Sequence, residues 1–464
     1  MYDTVHTAVE NRDFKKIKEI FLGMNEADIA DLIQGFHDNQ DVDKRDITLL
    51  FRLMPKDTAA EVFTYIDSDM KELLINSFTD TELQEVIDNL FIDDTVDLIE
   101  EMPANVVPRI LKASDAQSRR MINMILKYPE DSAGSIMTTE YIYMKKDTSV
   151  KDALDKIRSL GMVKETVYTI YVTSMHRRLL GVLSILDLLT SDDDELVGDI
   201  MDTNVITVET TEDREVVAAK FAKYDFIALP VVDNEKRIVG IVTFDDAMDV
   251  IQEETTEDFA HMAAIQPSEE SYFKTSVFKH ARNRIVWLLV LMLSSTISSV
   301  IISHYEAAFA AIPLLVASIP TLTGTGGNCG SQTSTMIIRG MSLGEIRLKD
   351  FFKVIFKEFR ISLIVSLILA SVNFARIYIQ YYNDASVDSF SLALCVSLAI
   401  VAAVVMSKLI GCILPMAAKA IHLDPALMAA PLISTIVDAS TTLVFFNIAC
   451  LLYTSPSPRD RSLS

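Results

Sequence analysis

Cysteine is scarce in this chain: four in 464 residues, Cys329, Cys395, Cys412 and Cys450, none of them before position 329. No two stand at zinc-ligand spacing, so neither a disulfide framework nor a zinc module is expected. The long cysteine-free part suits a reducing compartment. Basic residues are also short, 42 Lys+Arg against 65 Asp+Glu, for a formal charge of -23. Phosphate recognition needs clustered Lys and Arg, so nucleic acid is excluded as a partner and cations are favoured. The opening "MYDTVHTAVENRDF" lacks a positive flank and an apolar run, so no signal peptide is expected.

What is present is divided. Before Tyr272 lie 56 of the acidic and 27 of the basic residues, a formal −29; the remainder carries 9 and 15, a formal +6. The hydrophobic share, 50%, is high for a soluble protein. An acidic soluble part is therefore joined to a weakly basic apolar part.

Residues 1–130 read as an all-α superhelical domain. "EADIADLIQGF", "DTAAEVFTYI", "TELQEVIDNLF" and "DTVDLIEEMP" repeat an acidic start followed by apolar residues at helical spacing. Residues 131–251 hold a duplication. "IMTTEYIYMKKDTSVKDALDKI" matches "IMDTNVITVETTEDREVVAAKF", and "YTIYVTSMHRRLLGVLSILDLL" matches "FIALPVVDNEKRIVGIVTFDDAM". Each half reads strand, helix, strand, strand, helix. Gly181 pairs with Gly240, Ser184 with Thr243 and Asp187 with Asp246. This resembles a tandem pair of CBS domains. The resemblance implies an α/β ligand sensor, often of adenine nucleotides such as ATP, and often dimeric. Ser184/Asp187 and Thr243/Asp246 then match the family's ribose contacts; N-caps of the following helices are the other reading. An acidic helix leads out of the second repeat over about 246–272, a connector assigned to 252–275.

Apolar spans follow, five of them: about 285–303, 307–338, 361–382, 388–417 and 427–452, within a transmembrane domain at 276–453. Each can supply the roughly 20 residues that a spanning helix needs. Lys274, Lys279, Arg282 and Arg284 precede the first, and Arg347, Lys349, Lys353, Lys357 and Arg360 follow the second. The positive-inside rule sets the acidic part in the cytoplasm and the C-terminus outside, in a multi-pass plasma-membrane protein. The tail 454–464 reads as structureless.

Within the second span "IPTLTGTGGNCGSQTSTMIIRG" is oddly polar. On a helix, Thr321, Thr325, Asn328, Gln332 and Thr335 form one stripe, continued by Arg339. Gly326 and Gly330 make a GxxxG pair that lets a second helix approach. A Walker loop would end in Gly-Lys-Ser/Thr and does not. The stripe faces either a wet path or another helix. The fifth span holds one charge, Asp438, one turn after Ser434, and a carboxylate near mid-bilayer costs at least ~2.5–3.5 kcal/mol. Such a group faces a cavity, an ion or a proton path. Pro431 is expected to free backbone carbonyls nearby. Acid, carbonyls and water suit hydrated Mg2+, and no His or Cys joins them at ligand spacing within the span.

"GTGGNCGSQ...IIRG", "DPAL...PLISTIVD" and "EDSAGSIMTTEYI" resemble the MgtE family of magnesium transporters, in the same order along nearly the whole chain. The resemblance implies a Mg2+ channel, not an enzyme, built as a homodimer around a central pore. Asp438 becomes the pore's Mg2+ contact, with the Ser434 carbonyl and Asn328 close by. It also implies closure by Mg2+ bound among acids. The matching positions are Asp93, Asp97, Glu215, Asp225, Asp246, Asp249, Glu254, Glu257, Asp258 and Asp424, with Glu61 on a looser match. Three rivals remain at this point: a Mn2+ or Co2+ channel, a membrane-anchored nucleotide sensor, and a proton-coupled transporter. The last is opposed by the lack of a second mid-span carboxylate.

Overall fold

The computed structural model describes residues 2–39, 42–160, 164–268, 272, 275–309, 313–383, 388–428 and 430–453. The tail expected to be structureless lies outside them. The chain divides into two compact units, Met1–Ile251 and Gln252–Ser464.

The first unit opens with helices α1 (Tyr2–Glu10), α2 (Phe14–Phe21), α3 (Glu26–Asp38), α4 (Lys44–Leu53), α5 (Lys56–Tyr65), α6 (Ser68–Ser77), α7 (Asp80–Ile87), α8 (Ile92–Glu101), α9 (Val107–Ala113) and α10 (Ala116–Ile125). Polar caps start several of them: Asp13 accepts from the Lys16 N–H, Asp43 from Arg45, and Thr79 and Glu82 close a capping box. Their apolar stripes, among them Ile29, Ile33, Phe36, Val62 and Leu83, share one core with Val208, Val217 and Leu229 of the second repeat.

The duplication is realised strand for strand. β1 (Ile142–Lys145), α11 (Val150–Leu160), β2 (Thr169–Thr173), β3 (Leu179–Ser184) and α12 (Ile185–Thr190) form the first repeat; a single turn, α13 (Val197–Ile200), leads into the second. That repeat is β4 (Val208–Glu209), α14 (Arg214–Tyr224), β5 (Ala228–Val232), β6 (Ile238–Thr243) and α15 (Phe244–Met262). Both sheets pair first parallel, then antiparallel, and both shift register at the equivalent place, Val172/Thr173 and Val231/Val232. The repeated glycine has a physical cause. A methyl on Gly240 would lie 2.7 Å from the Thr138 carbonyl oxygen, and one on Gly181 2.8 Å from that of Asp202. Each repeat thus takes the other's leading segment against its bare glycine. The connector is shorter than expected: α15 ends at Met262, and the described residues after it, 263–268, form a turn and coil.

In the second unit, α16 (Val277–Phe309), α17 (Pro313–Ala317), α18 (Ile319–Ser342), α19 (Phe351–Tyr381), α20 (Ser389–Ala420) and α21 (Ala430–Tyr453) follow. Four stretches among the described residues are long and apolar enough to cross a membrane: Val277–Tyr305, Leu348–Tyr381, Ser389–Ala420 and Pro425–Leu452. α18 has the length, 24 residues, but its polar stripe keeps its hydropathy low. The expected second span, 307–338, is not one helix: it is divided, with the short α17 and a turn at Ser318 before α18, which runs on to Ser342. Pro431 also departs from expectation. It lies in the first turn of α21, where no intrahelical N–H is needed, so it frees no carbonyls.

Candidate functional site

α18 packs on α20 and α21 through its glycines. A methyl on Gly411 of α20 would lie far inside van der Waals contact with the Gly330 carbonyl oxygen, so the two backbones cross there with nothing between them. Gly326 faces Ser407 of α20 and Thr441 and Val437 of α21. Gly327 does the same for the acid: a methyl there would stand 3.5 Å from Ser434 Oγ and 3.8 Å from Asp438 Oδ1. Asp438 is half-buried, and no Lys, Arg or His pairs with it among the described residues. The uncovered flank of α18, which begins at Asn328 next to Gly327, is the predicted stripe. Asn328, Gln332, Thr335 and Arg339 are exposed and Thr321 and Thr325 half-exposed. Thr325 donates to the Thr321 carbonyl at 2.6 Å.

The first unit gathers carboxylates. Asp93 is 7% exposed, and its Oδ1, like Glu165 Oε2, has no hydrogen-bond partner among the described residues. Burial, then the Asp246 charge, pushes Asp97 up to about 8. The same two causes lift Glu165 to about 8, and burial above all lifts Asp94 to about 6 and Asp246 to about 7. Asp93 is raised by burial and by Asp246, Glu165 and its helix neighbours. Carboxylates crowded in this way favour the binding of a positive ion or of protons. Glu61 is raised by burial, then by Glu26 and Asp245, and so borders the group. No three acid, His or Cys side chains converge at chelating distance among the described residues.

The end of α15 forms a second acidic group. His261 Nδ1 lies 2.9 Å from Asp424 Oδ2, and its Nε2 3.8 Å from Glu257 Oε1. Asp258 is raised by burial, then by Asp424. Glu254 is half-exposed one turn before Asp258. Glu215 opens α14, and Asp225 closes it in the left-handed region, φ 54°. Neither is among the carboxylates crowding Asp93 or Asp97. Asp249, raised by burial and by Asp245, lies one turn beyond Asp245. Both Ser/Thr-x-x-Asp corners are caps: Ser184 Oγ and Asp187 Oδ2 are 2.7 Å apart, Thr243 Oγ1 and Asp246 Oδ2 2.6 Å.

Sequence reasoning missed Glu165, Asp94 and His261, whose partners come from remote segments. It also missed a buried carboxylate, which corrects the argument that the membrane part has only Asp438. Glu358 of α19 is 13% exposed and 3.7 Å from Lys408 of α20, itself 8% exposed. Lys408 was visible as a lone Lys in the apolar run "VVMSKLIG".

A bundle of apolar helices with an acid, Asp438, that has no basic partner among the described residues, beside a polar helix face and joined to an acidic unit, defines a membrane transporter of cations. Comparison with known proteins agrees. Residues 319–448 match a divalent cation transporter family, MgtE, residues 24–131 the MgtE intracellular N domain, and residues 133–193 and 197–253 CBS domains. The magnesium transporter MgtE of Thermus thermophilus is 32% identical over 97% of this chain and 98% of its own length. That of Bacillus subtilis is 31% identical over 87% and 90%. The solved cytosolic domain of the Mg2+ channel MgtE in complex with ATP superposes with TM-score 0.50 at 31% identity, covering 54% of this chain and all of that one. The chain belongs to the MgtE family.

Proposed function

We propose that Mg2+ crosses the membrane beside Asp438, along the polar face of α18, and that Mg2+ held by the acidic part closes this path from the cytoplasm. Magnesium transport is the function of the family; the route and its control are our reading. One observation carries it: an unpaired carboxylate, half-buried in the bundle, set against the bare Gly327 and Ser434. A membrane anchor has no use for such a group, since its insertion is costly. Beside Asp438 the neighbouring donors are oxygens, Ser434 Oγ among them, which suits a hydrated hard ion such as Mg2+.

The stripe of exposed Asn328 and Gln332 and half-exposed Thr325 supports a homodimer, in which two such faces and two Asp438 enclose one wet path. With α18 counted among five crossings, basic residues around the start of α16 and after α18 favour a cytoplasmic acidic part and a C-terminus outside. Closure would use Asp93, Asp97, Asp246 and Glu61 in one group and Glu254, Glu257, Asp258 and Asp424 in another. Glu215, Asp225 and Asp249 would be completed by the second copy. ATP would bind the CBS pair at the Ser184/Asp187 and Thr243/Asp246 corners.

Uptake of Mg2+ into proteoliposomes tests the route. Asp438→Ala, compared with wild type at equal reconstitution, is expected to fall to the level of empty vesicles. Uptake at the wild-type rate would remove Asp438 from the path.

A further inference from the structure

Three side chains from three helices meet inside the membrane bundle. Thr333 of α18, 2% exposed, donates from Oγ1 to Glu358 Oε2 at 3.2 Å and accepts from Lys408 Nζ at 3.1 Å. Lys408 and Glu358 are 3.7 Å apart, both nearly sealed from solvent. The hydroxyl is thus wired to both members of a buried ion pair. Replacing such a pair by apolar side chains is often neutral or stabilising even in water-soluble proteins. In a bundle whose surroundings are already apolar, stability alone gives little reason to keep it.

Its place suggests what it does. The α18–α20 backbone crossing at Gly330 and Gly411 lies one turn away from Thr333 and Lys408. At the crossing itself neither glycine contributes a side chain that could fix the rotation of α18, although Ile337 and Met341 share a small apolar cluster with Cys412 and Met416 further along. Thr333 supplies a key with a fixed direction, since it must face α19 and α20 at once. Asn328 and Gln332 point the other way, onto the exposed face. A second polar tether, Ser334 Oγ to the Met428 carbonyl at 3.2 Å, holds the neighbouring residue.

We propose that Lys408, Glu358 and Thr333 form an intramembrane clamp that sets the rotation of α18 about its own axis, and so decides which polar side chains face the ion path beside Asp438. Thr333 is a positioning residue: it touches no ion. The inference rests on the reading of Asp438 and the α18 stripe as the path.

The test reconstitutes the full chain in proteoliposomes and measures Mg2+ and Ca2+ uptake. Thr333→Val keeps the volume and leaves the two charges with each other, but disconnects α18. The expected result is a Mg2+:Ca2+ uptake ratio lower by about tenfold, the order of one lost hydrogen bond to a charged group, in protein that still folds and reconstitutes at the wild-type level. Thr333→Ser, which restores the hydroxyl, is expected to restore the ratio. The double variant Lys408→Met with Glu358→Gln leaves no lone charge and is expected to match Thr333→Val. A wild-type ratio in Thr333→Val and in the double variant overturns the clamp. So does a ratio that Thr333→Ser fails to restore. Asp438→Asn run alongside separates the two readings: wild-type uptake there sinks the path itself, whereas its loss together with an unaltered Thr333→Val sinks the clamp alone.

Discussion

Gly411 and Gly324 are both helix glycines, but they do different jobs. The nearest atoms to a Cβ on Gly411 are all Gly330 backbone, and backbone cannot rotate away. A Cβ on Gly324 meets nothing within 4 Å. Gly411→Ala should therefore force α18 and α20 apart, at about 1–3 kcal/mol, the usual cost of overpacking. Gly324→Ala should be neutral or gain about 0.5–1 kcal/mol from better helix propensity. Thermal unfolding in detergent compares them: a midpoint lowered several degrees in the first and not in the second is expected. Equal midpoints would mean that the glycine crossing is not the tight contact described. Gly327 is the intermediate case. Its methyl would make ordinary contacts with Ser434 and Asp438, so Ala is tolerated there, whereas a larger side chain would cover the acid.

α15 ties chemistry to chemistry along one rod. Asp246 stands in its first turn, and Glu257, Asp258 and His261 stand near its end, where Met262 packs with Ile338 and Ala426. If closure acts through this end, Glu257→Gln with Asp258→Asn should keep Mg2+ current flowing at internal Mg2+ that shuts the wild type. Patch recording checks this, and normal shut-off in the double variant would refute the mechanism. How far these elements could be read from sequence depends on the physics behind each. The CBS repeats were legible because alternation, a capping Ser/Thr-x-x-Asp and a glycine recur in register. The stripe on α18 was legible because 3.6-residue periodicity survives in any environment. The break before α18 was not, since an apolar run through residue 317 masks it. Pro431 misled because a proline near a helix start and one inside a helix look alike until the start is located. Glu165 and His261 were illegible for a different reason: each matters only through partners brought from another segment.

The charge imbalance of the whole chain, −29 before Tyr272 against +6 after, becomes a thermodynamic lever once the buried acids are counted. Asp97 and Glu165 at about 8, Asp246 at about 7 and Asp94 at about 6 all lie above the ordinary carboxylate value near ~4. Raised acids favour the folded state while protonated. Their contribution is full below the unfolded value and is lost as pH rises through about 6 to 8. Without Mg2+, the thermal midpoint of the first unit's transition should therefore fall between pH 6 and pH 8. Mg2+ competes with those protons for the same carboxylates. Its stabilising increment should be small at pH 6 and large at pH 8, approaching about 2.7 kcal/mol at a hundredfold excess over Kd. Asp97→Asn removes one of the costly charges. It should raise the Mg2+-free midpoint at pH 8 and shrink the increment there, with little change at pH 6. An increment that is the same at both pH values would mean that the ion binds elsewhere, and the acidic core would then have to be explained without it.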